Sequence, residues 1–101
     1  MRHVDPPLTH DEMKSHIESI VASCTYETHR VPGTTTTLAT AIAPNGFVLL
    51  TGESIAARAD EFDEALGIQY AVDDAKSKVM DLLWVLEAWR AKCNSAGLLP
   101  D

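Results

Sequence analysis

The sequence predicts an α+β fold in a single domain over residues 1–101. It reads as an N-terminal short helix, a three-stranded antiparallel β-meander at 23–54 and a long C-terminal helical region at 60–94. The apolar period switches from helical to strand-like near residue 23 and back near residue 60. Pro32-Gly33 and Pro44-Asn45-Gly46 cut the middle into strand-length pieces. From Ile68 to Cys93, apolar residues recur at alternating spacings of 4 and 3.

Met1 to Pro7, with its Pro6-Pro7 pair, reads as an extended arm. Thr9 is then a candidate N-cap, and Glu12 three residues on completes a capping box. Leu8 and Met13 have the spacing of a hydrophobic staple. Met13, Ile17, Ile20 and Val21 form one narrow apolar stripe, so residues 10 to 22 are expected to be a short amphipathic helix.

Residues 23–31, rich in Thr, Tyr and Val, suit a strand. Residues 34–43, "TTTTLATAIA", are uncharged; one face would hold Leu38 and Ile42, the other Thr35, Thr37, Ala39 and Ala41. Asn45-Gly46 is a strong hairpin signal. "FVLLTGES" is continuously apolar at its start, which predicts a central strand or one covered on both faces.

Asp60 is the expected cap of the last helix, with Glu61, Asp63 and Glu64 at the positive end of its dipole. Ile68, Val72, Ala75, Val79, Leu82, Leu86, Trp89 and Cys93 form the seam, Gly97 and Pro100 the stop, and Gly67 a potential break. An unbroken rod over 60–94 is about 50 Å long at 1.5 Å per residue. It overshoots a compact domain, whose radius of gyration is about 13 Å. Met80, Leu83 and Trp84 widen the stripe, and each large apolar side chain left in water forgoes about 1.5–3 kcal/mol. A homo-oligomer is therefore expected.

Acidic residues outnumber basic ones 15 to 8, a net charge of −7, which argues against a long nucleic acid as partner. A hydrophobic share of 46% is too high for a disordered chain. No apolar run reaches the ~18 residues of a membrane span, no signal-peptide core is seen, and two cysteines make no disulfide framework. A cytoplasmic protein is expected.

His10, Asp11, Glu12 and His16 lack metal-site spacing and read as a solvated helix face; His3 and His29 are isolated. Cys24 and His29, five apart, would point to opposite faces of a regular strand and so cannot act as nucleophile and base. No nucleophile elbow or phosphate loop occurs, so no catalytic residue, cofactor or metal is expected. Arg2, Arg30, Arg58 and Arg90 each fit either an internal ion pair or a two-point grip on phosphate. Phe62 fits either a core anchor or a stacking platform.

Pro32, Gly33, Thr34, Asn45, Gly46, Phe47, Gly52, Ser54, Phe62, Asp63, Gly67, Ala71, Ala75 and Lys78 form an ordered series over about half the chain. The series resembles a family of small tailed-phage accessory proteins (gp49-like) that includes the Thoeris anti-defence signal-sequestering proteins. The family's Trp and Glu-Gly-Tyr group is replaced here by Met80, Leu83, Trp84 and Val85. The resemblance implies a homodimer or hexamer with nucleotide sites between subunits. It implies a phage protein that holds glycocyclic ADP-ribose or cyclic oligonucleotides in the infected bacterial cytoplasm without cleaving them. The ligand-binding candidates are then Arg30, Arg58 and Arg90 for a pyrophosphate, Phe47 and Phe62 for adenine, and Asn45 and Asp63 for ribose hydroxyls. The alternative is an acidic module that inhibits a host protein through its helical face.

Overall fold

The structure, a computed structural model, describes residues 9–96, with side chains as far as residue 93. Helix α1 spans His10–Ser23, strands β1, β2 and β3 span Thr25–Arg30, Thr36–Ile42 and Val48–Ile55, and helix α2 spans Glu64–Ala96. The strands form one antiparallel sheet in the order β1-β2-β3. This is the α+β meander between two helices that the sequence predicts. The Pro6-Pro7 arm, His3, Arg2, the Leu8 half of the staple, and Gly97 and Pro100 lie outside the described residues.

The capping box forms. The Glu12 N–H donates to Thr9 Oγ1 at 3.2 Å and the Thr9 N–H donates to Glu12 Oε1 at 3.1 Å. These bonds hold the Glu12 carboxyl below its ordinary pKa. Ile17 and Val21 are the buried residues of α1, and Met13 and Ile20 pack beside them. Cys24 caps the helix C-terminus and so precedes β1 rather than lying in it.

Both expected turns close, and each uses its glycine. Gly33 has φ +76° and Gly46 φ +85°. In the second turn the Gly46 N–H donates to the Ala43 carbonyl at 2.8 Å, and the Ala43 N–H donates to the Phe47 carbonyl at 2.8 Å. Pro44, Asn45 and Gly46 thus make a three-residue loop, and Asn45 keeps a negative φ.

Residues Thr37, Ala39 and Ala41 of β2 are buried under α2, whereas Leu38, Thr40 and Ile42 on the opposite face are half-buried. The small residues win because they let the helix backbone approach. A Cβ on Gly52 would lie 2.6 Å from Ala75 Cα and 2.7 Å from the Ala71 carbonyl oxygen, where no side chain fits. Ala39, Ala71 and Ala75 are fully buried around that contact. Farther along α2, Val79 and Leu83 join Ile17, Val21 and Ala41 in a second cluster, flanked by Leu49 and Leu50.

Strand β3 is an edge strand, not a central or doubly covered one. A bulge at Ala41/Ile42 breaks the alternation, so Leu49 and Leu50, adjacent in sequence, both reach the same cluster while Phe47 and Val48 stay exposed. Asp60 does not cap α2. It sits in a 3₁₀ turn at Ala59–Glu61, and Asp63 is the cap, its Oδ1 accepting the Leu66 N–H at 3.1 Å. The helix therefore starts at Glu64, and it runs unbroken through Gly67. Gly67 is buried against the sheet, where a Cβ would meet Thr37 Oγ1 at 2.9 Å.

The buried line of α2 is Gly67, Ala71, Ala75, Val79 and Leu83, spaced by four, rather than the alternating seam. Of the seam, Ala75, Val79 and Cys93 are buried, while Ile68, Leu86 and Trp89 are exposed. Helix α1 covers Leu83 and packs against Met80 and Trp84, more than a lone sheet would. His10 belongs to this packing, its ring stacked on Trp84 with centroids 5.2 Å apart. His16 Nε2 lies 3.6 Å from Glu87 Oε1. Past this point Val85, Leu86 and Trp89 are uncovered, Trp89 being 61% exposed. A radius of gyration of 17.3 Å, against about 13 Å for a compact chain, reflects the overhanging rod.

Two predictions follow from the helix–sheet contact. Gly52→Ala has no low-cost relief, since backbone atoms are what it meets, and it destabilises the protein by about 2–3 kcal/mol in urea unfolding. On the outer edge of β3, Asp74 Oδ2 accepts the Glu53 N–H at 2.8 Å and pairs with Lys78 Nζ at 2.8 Å. The Lys78 contact, then the Glu53 N–H, depress the Asp74 carboxyl below its ordinary 3.8. A depressed acid stabilises the fold above its unfolded pKa and loses that effect as pH falls through the folded value. Asp74→Ala therefore costs about 1 kcal/mol at neutral pH, the solvent-facing part of the pair adding little. Melting curves of the two proteins converge in strong acid.

Candidate functional site

Three of the proposed ligand residues meet at one end of the sheet. Arg30 ends β1 opposite Thr37, and its guanidinium carbon lies 4.1 Å from the centroid of the Phe62 ring. Its Nε donates to the Thr34 carbonyl at 2.8 Å, which fixes the side chain across the ring and leaves the Nη fork outside that bond. Phe62 is held in place by its position between the 3₁₀ turn and the Asp63 cap, and it is half-buried. It serves both as a wall of the fold and as an aromatic surface.

Beside this pair lies a cleft of about 130 Å³, lined by Phe62, Asp63, Leu66, Gly67 and Tyr70 from the start of α2 and by Thr35, Ser54 and Ile55 from the sheet. Glu61 stands at its edge. Absence of a side chain at Gly67 keeps the floor close to β2, and Leu66 and Tyr70, four apart, form one wall. Thr35 Oγ1 is occupied as a donor to the Ala56 carbonyl at 2.6 Å.

Arg58 does not line the cleft; it is held in a two-point pair with Asp60 at 3.1 and 2.7 Å and lies 3.9 Å from Glu61, which does. It is thus an internal ion pair that an anion would have to compete for. Arg90 is also paired, 3.5 Å from Glu87. It lies 90 − 67 = 23 residues along α2 from Gly67, about 35 Å at 1.5 Å per residue. Asn45 and Phe47 are at the opposite end of the sheet, beyond the ~20 Å length of β2. There Asn45 Oδ1 accepts the Phe47 N–H at 3.0 Å, and the Phe47 ring is 65% exposed. One chain therefore gathers Arg30, Phe62 and Asp63, with Arg58 adjacent, and leaves Asn45, Phe47 and Arg90 elsewhere.

Sequence reasoning missed Leu66, Tyr70 and Glu61. Leu66 and Tyr70 fall off the helical seam, and only their spacing from Phe62 signalled a shared wall. The arrangement offers an aromatic face, a guanidinium above it, carboxylates at one side and an apolar slot. Among the described residues no cluster of His, Cys, Asp or Glu is placed to hold a metal ion, and no helix is long and apolar enough to cross a membrane.

Because the Arg30–Phe62 stack is at the surface, it contributes at most about 1 kcal/mol. Arg30→Ala is expected to lower stability by no more than that while keeping the helical circular dichroism of the parent. A loss of several kcal/mol would show that Arg30 belongs to the core.

No curated protein and no solved structure matches the chain. The sequence pattern of one family does match, over residues 12–94, which takes in α1 from Glu12, the whole sheet, the cleft and α2 as far as Asn94. The chain, with its meander under a long helix, belongs to the phage protein (N4 Gp49/phage Sf6 gene 66) family.

Proposed function

We propose that this phage-family protein binds and withholds a cyclic nucleotide signal, glycocyclic ADP-ribose or a cyclic oligonucleotide, without cleaving it, in the cytoplasm of an infected bacterium. The observation that carries this reading is the Phe62 ring, which lines an apolar slot and carries the Arg30 guanidinium at 4.1 Å. A cavity of about 150 Å³ accepts one benzene ring, so a 130 Å³ cleft has the scale of a single flat ring system. Drug-sized ligands occupy about 300–1,000 Å³. The rest of a nucleotide must then extend over the lip, toward Arg30 and Arg58 and toward a second copy of the chain.

The charges suit that orientation. Glu61 and Asp63 repel a pyrophosphate and accept from an exocyclic amine or ribose hydroxyls, so the base enters the slot and the phosphates stay at the arginines. Asn45, Phe47 and Arg90 reach such a ligand only from another subunit. Withholding a signal requires tight binding, and a nanomolar dissociation constant corresponds to about −12 kcal/mol. A preformed site shared between rigid subunits favours that by limiting the entropy lost on binding.

Isothermal titration of the purified protein with glycocyclic ADP-ribose and with cyclic trinucleotides tests the reading. We expect submicromolar binding of at least one, recovery of the ligand unchanged by mass spectrometry, and at least tenfold weaker binding by Phe62→Ala and Arg30→Ala. Absence of heat from every ligand, or a chemically altered product, contradicts it. The exposed Val85, Leu86 and Trp89 on α2 favour one second reading, an acidic module that docks on a host protein through this face.

A further inference from the structure

Helix α2 does not cover the sheet evenly. Its Asp74 takes the outward N–H of Glu53 on β3 at 2.8 Å, which blunts that edge. On β1 the Val31 N–H donates to the Thr36 carbonyl at 3.0 Å, so the register turns the backbone groups of Thr25, Glu27 and His29 toward β2. Those of Tyr26, Thr28 and Arg30 point outward, and among the described residues no strand pairs with them. The same three residues stand on the helix face, opposite buried Ala41, Ala39 and Thr37, yet Thr28 and Arg30 are exposed. The side of α2 that meets Tyr26 carries Lys76, with Ile68 and Val72 on the two turns before it. A trough therefore runs between the β1 edge and this flank of α2, apolar along Ile68 and Val72.

The two ends of the trough are cationic. Lys14, Arg58, Lys78 and Arg90 each lie within 4.0 Å of a carboxylate. Arg30 and Lys76 instead meet aromatic rings, Phe62 at 4.1 Å and Tyr26 at 5.6 Å, and among the described residues neither has a carboxylate partner. Tyr26 and Arg30 are four residues apart, about 13 Å along the strand. Glu27, the acidic residue of β1, stands on the opposite face of the sheet.

We propose that an extended segment of a foreign polypeptide, acidic at positions i and i+4 and apolar at i+2, adds to β1 as an antiparallel fourth strand. Its residues opposite Arg30, Thr28 and Tyr26 form the hydrogen-bonded pairs and carry their side chains on the helix side. The first carboxylate meets the Arg30 guanidinium, the central side chain lies along Val72 and Ile68, and the second carboxylate meets Lys76. Main-chain bonds hold the strand, and the two cations select it. The chain's own β1 presents Tyr26, Thr28 and Arg30 on that side and supplies neither carboxylate. Thr28, Val72 and Lys76 lie outside the cleft, so a protein that takes the strand and no nucleotide leaves this inference standing.

Fluorescence anisotropy of the full chain with the labelled peptide Thr-Glu-Thr-Val-Thr-Glu-Thr tests it. Saturable binding is expected at micromolar concentrations, and methylating the valine amide nitrogen, which removes the N–H that bonds to the Thr28 carbonyl, abolishes it. Lys76 is exposed, and Lys76→Glu weakens binding about tenfold by turning a cross-strand attraction into a repulsion. Replacing the second glutamate of the peptide by lysine restores binding to that variant, because the antiparallel direction sets this residue opposite Tyr26. Replacing the first does not. No binding by the wild type, equal binding of the methylated peptide, indifference to Lys76→Glu, or rescue from the first position overturns the proposal.

Discussion

Everything in this molecule is arranged around the contact of α2 with Gly52. Hydrophobic packing alone would favour large side chains between helix and sheet, but here the interface holds Gly52, Ala39, Ala71 and Ala75, with Gly67 a turn or more before them. Small residues forgo transfer energy per side chain and gain many short-range contacts by letting the backbones close. They also fix the helix in height and rotation, because any added atom at Gly52 meets main chain. Large side chains are displaced to where the helix leaves the sheet, and α1 is needed there to cover Val79, Leu83 and part of Trp84.

That contact also makes the cleft. With the start of α2 held close to β2, Phe62 and Asp63 are brought to the end of β1, where Arg30 lies over the ring. Tyr70 and Leu66 stand on the flank of the same turns and become a wall. The same helix guards the β3 edge through Asp74, while among the described residues no strand pairs with the outer edge of β1. The cleft and the blunted β3 edge are thus consequences of one packing choice.

Local signals were the legible part of the sequence. The Thr9/Glu12 box, the two glycine turns and the helical period from Ile68 onward each depend on residues within a few positions of one another. What depended on distant backbone was not legible. Strand alternation separates Leu38 and Ile42 from Ala39 and Ala41, but it does not say which face a helix will cover. The "FVLL" run looked doubly buried because a bulge that redirects Leu49 leaves no trace in composition. Asp60 and Asp63 are equivalent as caps until the 3₁₀ turn separates them. For the site, Arg30, Phe62 and Asp63 were identified as types without being located together. Arg58, satisfied by Asp60, and Asn45, engaged in its own turn, show how a polar residue's local partners can account for it.

Amide hydrogen exchange across the native chain tests the central role of the helix–sheet contact most directly. If the close approach organises the fold, the slowest amides are those of Ala39 and Ala41 in β2 and of Ala71 and Ala75 in α2, and they exchange together through global unfolding. Slowest exchange in α1 and the far half of α2, with the Gly52 region opening first, would contradict it.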